Sequence, residues 1–168
     1  MLEFRLYDKK LDINLDEWSN NAYSSYQKDV HKFALFDETI SQIYNSYIKN
    51  PNQMGSIFDK VIVVEEDSLK VAVIVVNYFI DELDNKKVLG INPILVNPIL
   101  INKGYGKRII KYLIDIKGRI FDMLPDKMYA GIDTTNTRCK HLFEKIGFKL
   151  VGQTDDNNFL YYELEINE

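Results

Sequence analysis

Val96-Asn-Pro-Ile-Leu-Ile-Asn-Lys-Gly-Tyr-Gly-Lys107 is the stretch that decides the reading of this chain. It joins a β-branched run to an amphipathic one. Ile109, Ile110, Leu113 and Ile114 share one face of the predicted helix and Lys107, Arg108 and Lys111 the other, with an end near Lys117-Gly118. At a helix start the first four N–H groups lack an intrahelical acceptor, and the dipole places partial positive charge there. Glycines at 104 and 106 let a phosphate approach main chain that a Cβ would shield. With Lys103 in the same basic stretch, two readings stand: a dock for a diphosphate or other anion, and a tight structural turn with a solvated basic face. Spacing excludes two phosphate loops. A dinucleotide turn needs a small residue three positions after its second glycine, where Ile109 stands. A P-loop needs four residues between its glycines, then Lys-Ser/Thr; here one residue separates Gly104 from Gly106, and Arg108 follows Lys107.

Upstream of the turn lie three β-like runs, at residues 60–66, 70–80 and 87–96. Asn92-Pro93 interrupts the third, and proline cannot donate to a ladder, so that strand is either at an edge or bulged. Further upstream, Leu2, Phe4 and Leu6 alternate with polar neighbours as a half-buried first strand. Residues 15–50 turn helical, with Leu35, Phe36, Ile40, Ile43, Tyr44, Tyr47 and Ile48 on one stripe that ends at Asn50-Pro51. Trp18, Tyr23, Tyr26 and Phe33 precede it, either as core packing or as a substrate-facing wall. Downstream, residues 128–133 read as a strand and 136–146 as a second amphipathic helix, stopped by Gly147, with Cys139, Leu142, Phe143 and Ile146 inward. Two strands, 148–151 and 159–166, close the chain. The expectation is one α/β (α+β) domain over residues 1–168, built on a mixed sheet of about six or seven strands.

Composition narrows the function classes. The 168 residues carry a net charge of −4, which argues against a general nucleic-acid binder. One cysteine, Cys139, excludes an internal disulfide and a cysteine-rich metal site, and His31 and His141 are isolated, so no metal is expected. The first residues lack a basic segment followed by an apolar one, and the longest strictly apolar run, Val71 to Val76, is far too short for a bilayer. A cytoplasmic protein without a membrane partner is expected.

Val96-Asn-Pro98 followed by Ile101-Asn-Lys-Gly-Tyr-Gly106 resembles the acetyl-coenzyme A signature of the GNAT N-acetyltransferase superfamily, Val-x-Pro and then Gln/Arg-x-x-Gly-x-Gly/Ala. About thirty residues on, Asn136-Thr-Arg-Cys-Lys-His-Leu-Phe-Glu-Lys-Ile-Gly-Phe148 resembles the family's Asn-x-x-Ala-x-x-Leu-Tyr-x-Lys-x-Gly-Phe. The resemblance runs from about Val61 to Ile166. It implies a sheet that splays between the strand at Lys87 and the strand at Met128, with the thioester in the opening. It also implies that the backbone of Asn102, Lys103, Gly104, Tyr105, Gly106 and Lys107 holds the pyrophosphate. Leu95 and Val96 would run beside the pantetheine arm, and Asn136 would bond it. The implied co-substrate is acetyl-CoA and the implied activity is direct acetyl transfer to a primary amine of a small molecule or peptide in a ternary complex. Homodimers are common among such proteins.

Three positions depart from the pattern. Ile101 replaces the leading Gln/Arg. Phe143 stands at the tyrosine that often protonates the departing thiolate. Residues 87–98 hold no acid, whereas many relatives place a glutamate base there. Asp133 is the candidate base, although Asp133-Thr-Thr-Asn136 also reads as helix-capping chemistry. Asp81, Glu82 and Asp84, and Asp155 with Asp156, are either attractors for a cationic acceptor or solvated turn acids. Of Tyr161 and Tyr162, which face opposite ways, Tyr162 is assigned to the core. Cys139 is read as buried packing rather than a nucleophile. The competing function is a non-catalytic coenzyme A or acyl-CoA-binding module on the same fold, and a third reading is an interaction domain with a purely structural glycine turn.

Overall fold

The computed structural model describes residues 1–18, 39–51 and 55–166. Seven strands form a single mixed sheet in the order β1-β2-β3-β4-β5-β7-β6. The strands are β1 (Leu2–Leu6), β2 (Phe58–Glu66), β3 (Leu69–Ile80), β4 (Lys87–Val96), β5 (Lys127–Asp133), β6 (Lys149–Gln153) and β7 (Phe159–Glu165). Among the described residues, the helices α1 (Ile40–Lys49), α2 (Tyr105–Ile116) and α3 (Thr137–Ile146) cover them. Leu35, Phe36, Tyr23, Tyr26, Phe33 and His31 of the sequence reading lie outside the described residues.

The central strands are apolar on both faces because both faces are covered. Ile62, Val64, Ala72, Ile74 and Val76 pack with Ile109, Ile110 and Leu113 of α2 and Phe143 of α3. The alternate residues Val61, Val63, Val73, Val75 and Leu95 pack with Tyr7, Leu15 and Ile40 on the other face. Thr39 starts α1 with a reciprocal capping box to Gln42. The stripe of α1 is narrower than its spacing predicts: Ile43, Tyr44 and Tyr47 are half-buried, but Ile48 is exposed. Leu6 is also exposed, and the chain buries Tyr7 instead as it leaves β1. An ion network fixes this end. Asp12, fully buried, accepts two bonds from Arg5 at 2.7 and 2.8 Å, one from the Asp8 N–H, and pairs with Lys70 at 2.9 Å.

Two irregularities position the site. The β3–β4 register passes from Ile74 opposite Ile94 to Val76 opposite Ile91, so β4 carries a bulge at positions 92–93, inside the sheet rather than at its edge. Beyond it β4 loses its second neighbour. It pairs in parallel with β5 only from Val88 opposite Lys127 to Ile91 opposite Ala130, while β4 continues along β3 to Val96 and β5 along β7 to Asp133. The sheet therefore opens between β4 and β5, as the sequence reading expects.

Candidate active site

Behind that opening lies a cavity of about 580 Å³ between the start of α2 and the first turns of α3. Ile94, Val96, Leu100 and Ile110 line it with apolar surface, and Gly104, Gly106 and Lys107 with the turn. Gly104 is the N-cap of α2 at φ +80°, a left-handed conformation that glycine adopts freely, and a Cβ built there meets no atom within 4 Å. No side chain caps this helix. Its first internal bond is from Arg108 N–H to Gly104 O, so the amides of Tyr105, Gly106 and Lys107 precede the ladder and are available to an anion.

The basic stretch divides. Lys107 lines the cavity, whereas Arg108 turns to Glu66 at the end of β2, pairs with it, and lies over the Tyr105 ring. The Tyr105 hydroxyl donates to the same carboxylate at 3.0 Å, and these bonds lower the Glu66 pKa. Arg108 is thus a structural cation. Lys103 is exposed and outside the lining. Leu95 points its side chain into the opposite core, which leaves only its backbone on the cavity strand. Val96, Asn102, Gly104, Tyr105, Gly106, Lys107 and Asn136 all line the cavity.

On the α3 side, the Asn136 oxygen accepts from the Cys139 N–H at 3.0 Å and caps the helix, leaving its NH₂ for a ligand. Arg138 was not singled out in the sequence. It lines the cavity and donates to the side-chain oxygen of Asn102, which sits in the turn at φ +66°. A cation in the first turn of a helix opposes the dipole unless an anion lies near, and that was the available signal. Phe143 is 3% exposed and meets Phe148 edge-on at 4.8 Å, an apolar wall without a transferable proton. Cys139 also lines the cavity, but burial pushes its thiol up to about 12, so it stays protonated and inert as a nucleophile.

Asp133, Asp81, Asp84 and Asp156 each have partners within the chain. Asp133 is buried, and its Oδ1 accepts from the Thr135 N–H at 2.9 Å and the Thr135 hydroxyl at 2.6 Å. It closes the turn into α3, where Asn136 is the cap. Asp81 and Asp84 do not stand free for an acceptor: with Glu163 they surround the buried Lys127 ammonium at 2.6, 3.1 and 3.0 Å. Asp156 bonds Thr154 and Asn158 within its own turn. Tyr162 is in the core, 1% exposed, with its hydroxyl on Glu144. Tyr161 lies on the opposite face of the sheet, 5.4 Å from Tyr129 between ring centroids. Among the described residues no group of His, Cys, Asp and Glu is arranged to hold a metal, and no helix is long and apolar enough to cross a membrane.

The family model described as "Acetyltransferase (GNAT) family" matches residues 14–148. No curated protein matches the chain in sequence. Solved structures share its fold. A spermidine N-acetyltransferase from Vibrio cholerae, in complex with CoA and spermine, superposes with a TM-score of 0.70 at 16% identity, over 98% of this chain and 95% of that one. A GNAT-family acetyltransferase from Streptococcus pneumoniae gives 0.64 at 14% identity, over 99% and 100% of the two chains. Campylobacter jejuni N-acetyltransferase PseH gives 0.63 at 14% identity, over 99% of each.

Proposed function

The chain belongs to the GNAT acetyltransferase family, an acyltransferase family, and from that premise we propose that it transfers an acetyl group from acetyl-CoA to a primary amine of a small molecule. The observation that carries this reading is the cavity itself: uncapped helix amides, a left-handed glycine and an apolar floor converge behind the β4–β5 opening. These residues fit a coenzyme A. The amides of Tyr105, Gly106 and Lys107 suit a pyrophosphate, with the Lys107 ammonium and the Arg138 guanidinium adding charge. Ile94, Val96 and Ile110 shield the arm from water, the backbone of Leu95 and Val96 runs beside it, and the Asn136 NH₂ meets its amide carbonyls. The bound thioester supplies an activated acyl carbon. An amine nitrogen forms the C–N bond to that carbon as the C–S bond breaks. Phe143 cannot hand the sulfur a proton, so we assign the sulfur's proton, like the one the nitrogen loses, to exchange with solvent.

Two consequences are testable. Acetyl-CoA and desulfo-CoA at about 100 times their dissociation constants add roughly 2.7 kcal/mol, which raises the unfolding midpoint by about 5–10 °C, and ATP at the same concentration does not. No shift with either analogue overturns the reading. We take Asp133, held by Thr135, as the carboxylate that closes the turn into α3, so the attacking amine loses its proton to solvent. Turnover then rises about tenfold per pH unit until the amine's own pKa, near 10, is approached. A plateau near neutral pH in a stopped assay of thiol release reveals an enzymic base instead. Phe143 also favours a second reading, binding without turnover, which predicts the thermal shift but no thiol release with any amine.

A further inference from the structure

The cavity is lined with more basic side chains than a diphosphate uses. Lys107 and Arg138 stand at the glycine turn, where the Arg138 guanidinium bonds Asn102. Two further basic side chains line the same cavity, His141 and Lys145, and both are exposed. They are four residues apart on α3, about 6 Å along the axis, so successive turns present both on one side. Leu142 fixes their level against α2. A Cβ at Gly106 would stand 3.6 Å from the Leu142 side chain, so the first turn of α2 abuts α3 beside His141 and one turn before Lys145.

Nothing in the fold neutralises this pair. Among the described residues neither side chain has a hydrogen-bond or ion-pair partner, and no Asp or Glu lines the cavity. Glu144, between them in sequence, is turned to the Tyr162 hydroxyl in the core. Other cations of the same two helices are engaged: Arg108 pairs with Glu66, and Lys140 donates to the Thr134 carbonyl. Like charges one turn apart weaken a helix, and an anion alongside turns such a row into an attraction. Coenzyme A has the anion to spare. Besides its diphosphate it bears a phosphate monoester on the ribose 3′ oxygen, with a charge of about −1.5 to −2 near neutral pH and three acceptor oxygens. The ribose separates the two groups, so a diphosphate on the amides of residues 105–107 leaves the monoester beside the turn rather than on it.

We propose that His141 and Lys145 form a second anion subsite, for the ribose 3′-phosphate of coenzyme A, and so make the donor site selective for the complete cofactor over its dephospho form. The inference rests on the coenzyme A reading of the cavity and deepens it. The diphosphate takes the turn amides with Lys107 and Arg138. The monoester accepts from the Lys145 ammonium and from an imidazole N–H of His141. Both donors are charge-assisted by the phosphate, which is what a pair of exposed side chains needs to hold a ligand group.

Calorimetry at low ionic strength tests this with CoA and with dephospho-CoA, which lacks only that phosphate. CoA is expected to bind about tenfold more tightly, and the ratio to shrink as salt is added, because the donors are exposed. Lys145→Gln and His141→Gln each weaken CoA by about three- to tenfold and leave dephospho-CoA within about twofold, and the double variant brings the ratio close to one. Lys111→Gln removes an exposed ammonium from α2 outside the cavity lining and leaves the ratio unchanged. All three side chains are exposed, so the unfolding midpoints of the unliganded variants stay near that of wild type. Equal affinities of CoA and dephospho-CoA, losses that fall equally on both ligands, or a Lys111→Gln effect as large as that of Lys145→Gln overturns the proposal. The coenzyme A reading fails separately, when neither ligand binds.

Discussion

The cavity on the α2–α3 face and the opposite face of the sheet are made of different material. The cavity lays open backbone amides at 105–107 and a helix start at Asn136, whereas the opposite face presents the side chains of Asn77, Phe79 and Tyr129. Main-chain donors persist through almost any substitution that keeps φ and ψ; side-chain walls change with every substitution. One scaffold can therefore keep a donor while varying acceptors. The two faces also differ in what holds them. The cavity face is held by apolar burial, the other face in part by the Arg5–Asp12–Lys70 network.

That contrast predicts separable failures, and the largest is one of stability. Asp12→Ala removes the buried carboxylate that Arg5 and Lys70 share, while Arg5 keeps Glu65, and is expected to cost about 2–3 kcal/mol, or roughly 5–10 °C in the unfolding midpoint. The CoA affinity of the molecules that remain folded is expected to change less than twofold. The sign of the pH effect follows from the carboxyl. Arg5 and Lys70 hold it well below the usual carboxylate range. Its contribution is thus complete above the unfolded value near 4 and is lost as pH falls through the lower folded value. Wild type therefore loses stability between about pH 4 and 2, and Asp12→Asn flattens that limb in acid-unfolding curves. A CoA affinity that falls with Asp12 would merge the two faces into one unit.

Gly106→Ala makes the opposite break. The added methyl meets Leu142 at 3.6 Å, an ordinary contact, and alanine is the better helix former, so the unfolding midpoint holds or rises. Gly106 lines the cavity, so in the proposed pyrophosphate dock the same methyl crowds the anion. Losing one or two charge-assisted bonds there weakens CoA by about 10–100-fold. Arg138→Met is smaller and more selective. It weakens CoA by about tenfold and pantetheine hardly at all, because only the former has phosphates for the guanidinium to meet. Equal losses for the two ligands would place Arg138 in the packing of α3 instead.

The same contrast governs what the sequence discloses. The glycine turn, its strand and both flanking helices are local, and each is marked by periodicity and punctuation within a dozen residues. Their bounds were legible for that reason, and the β4–β5 opening only through the family resemblance. The bulge was signalled by a proline but not located inside the sheet until β3 and β4 were paired. The make-up of the opposite face was not legible: Asn77, Gly90 and Tyr129 lie tens of residues apart, and only the register brings them into one row. The partners of charged residues were equally hidden. Arg108 reads only as part of a basic stretch until Glu66 stands beside it, and Asp81 stays open between an attractor for the acceptor and a solvated turn acid until Lys127 does.

The smallest effect is expected at the residue whose chemistry looks most reactive. Cys139 lies in the cavity one helical turn before Phe143, on the same face, at the spacing from which a thiol could intervene in the transfer of an acyl group. Covalent transfer through it requires a thiolate. Burial among apolar neighbours pushes the thiol to about 12, so the reactive fraction near neutral pH is on the order of 10⁻⁵. Cys139→Ala is therefore expected to change turnover by less than about twofold, and the wild-type thiol to resist alkylation until the protein unfolds. Loss of activity in that variant, with an acetylated Cys139 trapped in the wild type by mass spectrometry, is the result that replaces direct attack with a two-step route. Retained activity leaves the cavity face with no covalent part in the chemistry. On the proposed reading, its work is then to hold and shield the donor.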